Sequence, residues 1–315
     1  MPVNIAVLET PRLRLRRLTE ADADRLVELC NDEGVSRYTE RMPYPYALSD
    51  AEAFIEKVML DRNANTRHVF AMERRIEGDV IGTIDVNMGT GDNTFGYWLG
   101  KDFWGQGFGT EASRAAVRFA FERAKLSQVA GGVHPDNPAS GRVLEKAGFV
   151  YSHINTEMHG RCANVEAKIY VQKAEDWFAR EAAKPKLLVT AVALIDTDGR
   201  VLMAQRPEGK SMAGLWEFPG GKVHDDETPE VALVRELKEE LDIDISESCL
   251  APFTFASHAY ESFHLIMPLY LCRTWTGTVK GHEGQELQWV KPNRLNQLPM
   301  PPADIPLVAM LMDYL

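Results

Sequence analysis

The sequence predicts an α/β protein of two domains, in which strands and helices alternate along both halves of the chain. Its 315 residues are long enough for two hydrophobic cores. A glycine-rich segment between a strand pattern and a helix pattern occurs once in each half, at 105–110 and at 220–243. Lysines and a proline at 183–186 make a short polar connector, so we expect domains at 1–182 and 187–315 with a linker between them.

Composition and charge limit the class of protein. With 45% hydrophobic and 26% charged residues, each half can build a core. The 46 acidic and 35 basic residues leave a net charge of −11, which argues against binding nucleic acid polymers or anionic membranes. The cysteines are scattered, which is typical of reduced thiols, and neither a signal peptide nor a membrane-spanning apolar run is evident. We therefore expect a cytoplasmic protein.

The first half begins with alternating apolar and basic residues at 12–16, which predict a half-exposed strand. Thr19–Asp22 and Ser49–Glu52 have the pattern of capping boxes, each at the start of an amphipathic helix. Strands are predicted at 69–75 and 80–87, joined by a turn at Gly78, and a further strand at 94–99.

A glycine-rich loop with the sequence FWGQGFGTEA follows this last strand and leads into a helix. Glycines at 105, 107 and 109 leave backbone N–H groups uncovered at the helix N-terminus, which suits a pyrophosphate. Taken alone, such a loop is more often a simple turn. A strand at 129–133 and a capped helix at 137–149 come next.

These segments together resemble the GNAT acetyltransferases, in particular their RimJ/RimL-like branch. The resemblance rests on TPRLRLR, the FWGQGFGTEA loop and the N-x-x-S-x-R-V-L-E-K-A-G-F helix, in that order, and covers about residues 8–175. It implies a mixed sheet splayed open at a bulge, with acetyl-CoA in the gap. The residues it implies at acetyl-CoA are Gln106, Gly107, Phe108, Gly109 and Thr110 at the pyrophosphate, Leu99 beside the pantetheine, and Asn137 and Ser140 near the thiol.

The groups that would transfer the acetyl moiety stay open at this stage. Glu111, Asp85 or a water held by backbone are candidates for the base, and Tyr151 for the acid. His134, on a loop before a proline, is interpreted as a surface histidine. The branch suggests a peptide N-terminus or a small amine as the acceptor. The alternative is that this half is a non-catalytic, acetyl-CoA-binding or regulatory module.

The second half is predicted to contain strands at 186–195 and 201–205, with Asp198-Gly199 as the turn between them. Further strands are expected at 253–259, 264–275 and 288–290, and a helix at 306–315. Thr228-Pro229-Glu230 predicts a helix start, with Thr as N-cap and Pro in the first turn.

The segment from Gly220 to Ile243 follows the rule G-x5-E-x7-R-E-U-x-E-E, in which U is aliphatic. Its last three glutamates, at 236, 239 and 240, share one helix face, where they either repel one another in solvent or hold a cation. Carboxylate oxygens are ligands that Mg²⁺ prefers. Alone they indicate an acidic surface helix, but Gly221, Glu227 and Arg235 in register favour a metal site.

This spacing resembles the Nudix hydrolases, and details outside it resemble the MutT branch. The resemblance implies an α/β/α sandwich and one or more Mg²⁺ (or Mn²⁺) ions. The implied metal ligands are Glu236, Glu239, Glu240 and the Gly220 carbonyl. Glu239 or Glu240 would activate a water, with Glu283 as a further acid and Arg235 orienting the glutamates. The implied nucleotide-binding residues are Arg206, Phe218, Lys222 and Asp304, while Trp216 is expected in the core.

The expected reaction is hydrolysis of a (deoxy)nucleoside triphosphate, with 8-oxo-dGTP as a candidate, to a monophosphate and pyrophosphate. Two positions depart from the family. Asp242 replaces the last Gly of the box, and we expect it to form a left-handed C-cap with little local change. Asp304 stands where the MutT type has Asn; an ionised Asp only accepts hydrogen bonds, which leaves the base open. The whole chain is thus predicted to be bifunctional.

Overall fold

The computed structural model describes residues 7–88, 94–157, 162–163, 165–282 and 284–315. The chain divides into two compact units, Met1–Arg180 and Glu181–Leu315. A helix ends at Ala183 and a strand begins at Lys186, so the connector outside regular structure is shorter than the segment we expected. Within the described ranges, no helix is long and apolar enough to span a bilayer.

The first unit contains two sheets. One is antiparallel and follows chain order, with strands β1 (Leu8–Glu9), β2 (Leu13–Arg17), β3 (Arg67–Arg74), β4 (Val80–Asn87) and β5 (Phe95–Leu99). The other has the order β6-β8-β7, with β6 (Gln128–Val133), β7 (Val150–Asn155) and β8 (Ala167–Lys173). A single parallel bridge between Thr94 and Ala130 joins β5 to β6, beyond which the strands diverge. This is the splayed mixed sheet that the resemblance implied.

Helices cover both faces of the larger sheet. Three precede β3, namely α1 (Ala23–Cys30), α2 (Glu33–Ser36) and α3 (Leu48–Asn63); three follow β5, namely α4 (Phe108–Arg118), α5 (Pro138–Ala147) and α6 (Ala174–Ala183). Alternate residues of β3 serve the two faces: Phe70 is buried in the core with α4, and Val69 in the core with α1 and α3. Period-two burial in β3 thus places the glycine-rich loop and the α3 side on opposite faces of the sheet.

The two predicted capping boxes had different outcomes. The Thr19 N–H donates to Asp22 Oδ2 at 2.8 Å, which confirms the first box. The second was wrong: α3 begins at Leu48 with Ala47 as N-cap, and the Ala47 N–H donates to Asp50 Oδ2 at 2.8 Å. The helix starts earlier because Asp50 reaches back to an extended Ala47, so the acid that caps is not Glu52.

The second unit is a sandwich. Its larger sheet has the order β12-β9-β14-β13, and its smaller sheet the order β11-β10-β15. The strands are β9 (Lys186–Leu194), β10 (Val201–Gln205), β11 (Trp216–Glu217), β12 (Gly220–Lys222), β13 (Ala251–Ala259), β14 (His264–Cys272) and β15 (Leu287–Val290); the helices are α7 (Pro229–Leu241) and α8 (Ile305–Tyr314). β9 lies parallel to β14 and antiparallel to β12.

Residues of β9 alternate between two cores, which is why helices occupy both faces of the sheet. Leu194 belongs to the core that contains Leu237 of α7, whereas Ala193 belongs to the core that contains Leu311 of α8. All four side chains are fully buried. A leucine buried in this way contributes about 2 kcal/mol of hydrophobic transfer free energy. Helix α7 is therefore held against the sheet by its apolar stripe.

Asp242 ends α7 in the left-handed conformation, with φ 55° and ψ 35°. Its side chain pairs with Lys238 Nζ at 3.3 Å, between two half-exposed groups. The expectation of a left-handed C-cap at this departure from the box is confirmed.

We expect Asp242→Ala to lower the free energy of unfolding by about 1 kcal/mol, because Ala tolerates a positive φ less well than Asp. Asp242→Gly, which has no such penalty, should be at least as stable as the wild type. Differential scanning calorimetry of the full chain would measure both. Equal melting of the Ala and Gly variants would contradict a role for backbone strain.

Candidate active sites

The guanidinium of Arg235 joins several residues of the second unit at the place where α7 follows the glycines of β12. Arg235 Nη2 donates to Glu227 Oε1 at 2.6 Å and to the Lys222 carbonyl at 3.1 Å, and its Nε donates to Glu227 Oε2 at 3.2 Å. Its Nη1 donates to Glu236 at 2.9 Å and to Glu239 at 3.4 Å. Arg235 thus ties the loop after β12 to two of the three predicted metal-binding glutamates.

Glu227 is the other half of this clamp. Besides Arg235, its Oε1 accepts the His224 N–H at 2.9 Å. Arg235 above all, and then this N–H, lower the pKa of Glu227 to about 2. The carboxylate therefore stays ionised at any physiological pH, and it holds the loop and the helix together.

The two glycines of β12 are required by close approach. A Cβ on Gly220, whose φ is 150°, would lie 2.1 Å from the Thr190 carbonyl oxygen of β9. A Cβ on Gly221 would lie 2.1 Å from the carboxyl carbon of Glu236. The carboxylate of Glu236 therefore rests directly against the backbone of the glycine pair, beside the carbonyl that we predicted as a ligand.

The predicted metal ligands fit Mg²⁺ in their chemistry, since all are oxygens. Among the described residues, which do not include Glu283, no three acidic, His or Cys side chains are close enough to hold an ion. Glu236 is largely buried, whereas the Glu239 side chain is 59% exposed and contacts Arg235 Nη1 at 3.4 Å. If the predicted ligands share an ion, the carboxylates of Glu239 and Glu240 would turn toward Glu236.

Lys222 and Glu283 are the other residues predicted near this helix. The Glu240 carbonyl accepts the His282 N–H at 3.0 Å and Gln285 Nε2 at 3.0 Å, so the segment on either side of position 283 lies against the end of α7. Glu283 itself lies outside the described residues. Lys222 is exposed, and its carbonyl is engaged by Arg235.

The other predicted nucleotide-binding residues come together around β11. Arg206, which follows β10, pairs with Glu217 through Nη1 and donates from Nε to the Ser211 carbonyl at 2.7 Å. The Phe218 N–H donates to Asp304 Oδ1 at 3.4 Å. The Phe218 side chain is buried in the core, as is Trp216, which confirms the expectation for Trp216. Phe218 therefore presents its backbone to this cluster.

Asp304 is the most unusual carboxyl group of the cluster. It is 4% exposed, and burial, followed by the nearby charge of Glu217, raises its pKa to about 8. Burial also raises the pKa of Glu217, against the opposing effect of Arg206. Asp304 is therefore protonated at neutral pH and can donate as well as accept a hydrogen bond. The sequence-based assumption of an ionised Asp304 missed this, because burial is not visible in the sequence.

A cleft of about 2010 Å³ opens in the first unit where β5 and β6 diverge. Six of the predicted acetyl-CoA residues line it, namely Leu99, Gly107, Gly109, Thr110, Asn137 and Ser140. Gly107 is left-handed, with φ 85°, and the first hydrogen bond of α4 runs from the Glu111 N–H to the Gly107 carbonyl. Within the described chain, the backbone N–H groups of 107–110 donate to no protein acceptor and are available to an anion.

The side chains of Gln106 and Phe108 do not line the cleft. The Gln106 carbonyl accepts Arg12 Nη1 at 2.8 Å, and the Arg12 guanidinium lies 4.3 Å from the centroid of the Phe108 ring. Arg12 thus holds the loop from outside. The contribution of positions 106 and 108 to an anion site is confined to their backbone N–H groups.

The candidate acid–base groups differ in whether they line the cleft. Glu111 accepts Thr10 Oγ1 at 2.6 Å and the Arg12 N–H and Nε at 2.8 and 2.7 Å, and it is absent from the cleft lining. Asp85, Tyr151 and His134 do line the cleft. The interpretation of His134 as a surface histidine was wrong, since its side chain is only 17% exposed. Its packing beside Tyr38 joins residues far apart in the chain.

Tyr97 and Glu217 were not assigned as site residues from the sequence. Tyr97 lines the cleft, where burial raises the pKa of its hydroxyl and the nearby Ser140 side chain acts in the opposite direction. Glu217 lies near enough to Asp304 to influence its ionisation. Both are adjacent to recognisable segments, Tyr97 to the strand before the glycine loop and Glu217 to Phe218-Pro219, but only the tertiary contacts show their partners.

Comparison with known proteins agrees with this division into two sites. A model described as an acetyltransferase (GNAT) domain matches residues 12–150, and one described as a NUDIX domain matches residues 190–310. CTP pyrophosphohydrolase of Escherichia coli (strain K12) is 43% identical over 129 residues, which cover 40% of this chain and 93% of that protein. The 8-oxo-dGTP diphosphatase of Proteus vulgaris is 39% identical over 101 residues, 32% of this chain and 88% of that protein.

The first unit has relatives of its own. The uncharacterized N-acetyltransferase p20 of Bacillus licheniformis is 31% identical over 148 residues, which cover 45% of this chain and 81% of that protein. The chain therefore spans most of the length of each of these relatives, with one half or the other.

We expect Glu227→Gln to lower stability in a pH-dependent way. Because the folded-state pKa of Glu227 is depressed, its stabilising effect is complete above the unfolded pKa of about 4.3 and is lost as pH falls toward about 2. The stability difference between wild type and variant should therefore be constant near pH 7 and shrink across that acidic range. Arg235→Gln serves as the matched control and should show the same loss; a pH-independent difference would contradict the clamp.

Proposed function

We infer, because the chain belongs to the GNAT acetyltransferase family through its first half and to the Nudix hydrolase family through its second, that it is a bifunctional enzyme. The second unit hydrolyses (deoxy)nucleoside triphosphates to monophosphate and pyrophosphate. The first unit transfers an acetyl group from acetyl-CoA to an amine. The observation that carries the hydrolase activity is the clamp in which Arg235 joins Glu227 to Glu236 against the glycine pair.

The residues of the second unit divide the hydrolytic work. Glu236, Glu239, Glu240 and the Gly220 carbonyl would hold Mg²⁺ (or Mn²⁺), which supplies charge neutralisation and a lower pKa for a bound water. Glu239, whose side chain is exposed, or Glu240 would orient or deprotonate that water, with Glu283 as a further acid. Arg206 and Lys222 offset the phosphate charge. Attack of the water at phosphorus then releases pyrophosphate.

The protonated carboxyl of Asp304 suits a purine or pyrimidine base that carries both hydrogen-bond donors and acceptors. A protonated carboxyl offers one donor and one acceptor, much as the Asn of the MutT branch does, so the replacement does not by itself exclude 8-oxo-dGTP. The relatives named for CTP and for 8-oxo-dGTP make both nucleotides direct candidates. The choice between these two nucleotides depends on how the base matches the hydrogen-bond donors and acceptors of Asp304 and Glu217.

The first unit supports acetyl-CoA through its cleft and its open backbone N–H groups at 107–110. Tyr97 and Ser140 both line this cleft, near the expected position of the thiol. A cleft of this kind also suits the alternative, a module that binds acetyl-CoA without transferring its acetyl group. Titration with acetyl-CoA, followed by a free-thiol assay with candidate amines, separates binding from transfer.

The hydrolase activity is tested by Glu239→Gln with Mg²⁺ and a panel of nucleoside triphosphates that includes CTP and 8-oxo-dGTP. We expect pyrophosphate release to fall by about 100-fold or more, since a group that handles the attacking water is lost. Glu230→Gln is the matched control on the same helix; Glu230 accepts the Tyr270 hydroxyl at 2.7 Å instead of facing the clamp, and activity should persist. Equally slow pyrophosphate release by wild type and Glu239→Gln from every nucleotide would refute the hydrolase activity, whereas equally fast release would refute only the role of Glu239.

Base recognition is tested by the pH dependence of KM. The Asp304 carboxyl loses its donor as pH rises through about 8, so KM for the preferred nucleotide should increase between pH 7 and 9. Asp304→Asn keeps a donor at all pH values, and its KM should stay level over that interval, whereas Glu208→Gln, an exposed control that keeps Asp304, should show the wild-type rise. The same rise in both variants would contradict the role of the Asp304 proton.

A further inference from the structure

Asp85 in β4 is a carboxylate with one oxygen paired and the other open. Its Oδ2 accepts Arg67 Nε at 2.8 Å, and its side chain is 18% exposed. Opposite Asp85 in the sheet stands Gly96, and a Cβ there would lie 3.0 Å from Asp85 Oδ1. Both residues line the cleft of the first unit. Because Gly96 carries no side chain, Oδ1 faces space in which a ligand atom fits.

Asp85 lies near the place where the acetyl group is expected. Gly96 is followed by Tyr97, which lines the cleft near enough to Ser140 for that side chain to influence its ionisation, and the resemblance implies the thiol end of acetyl-CoA near Ser140. Directly opposed residues of antiparallel strands are about 5 Å apart at Cα. Successive residues of β5 point to opposite faces, so Tyr97 borders the α4 side and Asp85 the α3 side. The cleft connects the two sides where β5 and β6 diverge.

The surroundings of Asp85 set its basicity. Burial raises the pKa of Asp85, while Arg67 of β3 and Arg41, between α2 and α3, act in the opposite direction, and burial prevails. A carboxylate with a raised pKa takes up a proton more readily at working pH. Glu111, the other acidic candidate, is occupied by Thr10 and Arg12 and lies away from the cleft.

We propose that Asp85 is the catalytic base of the first unit, and that the α3 side of the cleft binds a primary amine through the open oxygen of Asp85. The proposal rests on the acetyl-transfer function proposed above. It assigns the acceptor to one face of the sheet and acetyl-CoA to the other, with the gap beside Gly96 as their meeting place.

The proposed reaction moves one acetyl group and two protons. The acceptor arrives as an ammonium ion, hydrogen-bonded to Asp85 Oδ1, and gives one proton to that oxygen. The neutral amine nitrogen attacks the thioester carbonyl; the N–C bond forms and the C–S bond breaks. A second proton leaves the nitrogen and ends on the sulfur of coenzyme A, with the Tyr97 hydroxyl in position to pass it on. Asp85 then releases its proton to solvent, and the amide product carries one N–H.

The test uses the full chain, acetyl-CoA, and three probe amines: spermidine, tyramine and an unblocked alanine tripeptide. Asp85→Asn keeps the size of the side chain and an acceptor for Arg67, but it cannot take a proton. We expect kcat to fall by about 100-fold with KM for acetyl-CoA unchanged, since the variant lacks only the base. Glu56→Gln, which alters an exposed carboxylate on α3 outside the cleft lining, is the matched control and should transfer at nearly the wild-type rate.

The pH–rate profile separates a base from a structural role. The wild-type rate should fall at acidic pH as Asp85 becomes protonated, and Asp85→Asn should lack this limb. Arg67→Gln, which removes the paired cation, should move the limb to higher pH. An unchanged kcat or limb in Asp85→Asn, with transfer intact in the wild type, overturns the inference alone. Binding of acetyl-CoA with no transfer to any probe by the wild type overturns both the inference and the proposed transfer.

Discussion

The close approach of a carboxylate to a glycine backbone is the constraint on which both sites depend. In the second unit, Glu236 occupies the volume that a Cβ on Gly221 would need. In the first, Asp85 comes within 3.0 Å of the place where Gly96 would carry one. A side chain at Gly221 would displace the Glu236 carboxylate, and one at Gly96 would crowd Asp85 Oδ1. Each glycine therefore matters for the space it leaves, beyond any freedom of its own backbone.

The ionisation and hydrogen bonding of three acidic side chains, Glu227, Asp85 and Asp304, depend on whether an arginine engages them. Arg235 engages both oxygens of Glu227 and keeps that group ionised, so Glu227 serves as a structural anchor. Arg67 engages one oxygen of Asp85 and leaves the other open. Asp304 is buried without an arginine of its own and keeps its proton at neutral pH. The three side chains thus differ in protonation or in the number of oxygens engaged by arginine, because their burial and their cationic partners differ.

Much of the fold was predictable because its signals are local. The alternation at 12–16 gave β2, and the turn at Gly78 separated β3 from β4 as expected. Thr228 and Pro229 marked the start of α7 correctly, since an N-cap and a first-turn proline act within one turn. The start of α3 was misplaced because several acids compete to cap it, and the sequence does not show which of them reaches back.

The sequence by itself determined the identity of the two families, the order of the two domains, and the glutamate, arginine and glycine positions of the hydrolase box, because fixed spacings along a helix or a loop carry that information. The tertiary structure decided which acids are engaged and which are open. Glu111 and Asp85 were equal candidates until the contacts of Thr10, Arg12 and Arg67 separated them. Protonation of Asp304 was likewise decided by burial, which arises only when distant segments pack together.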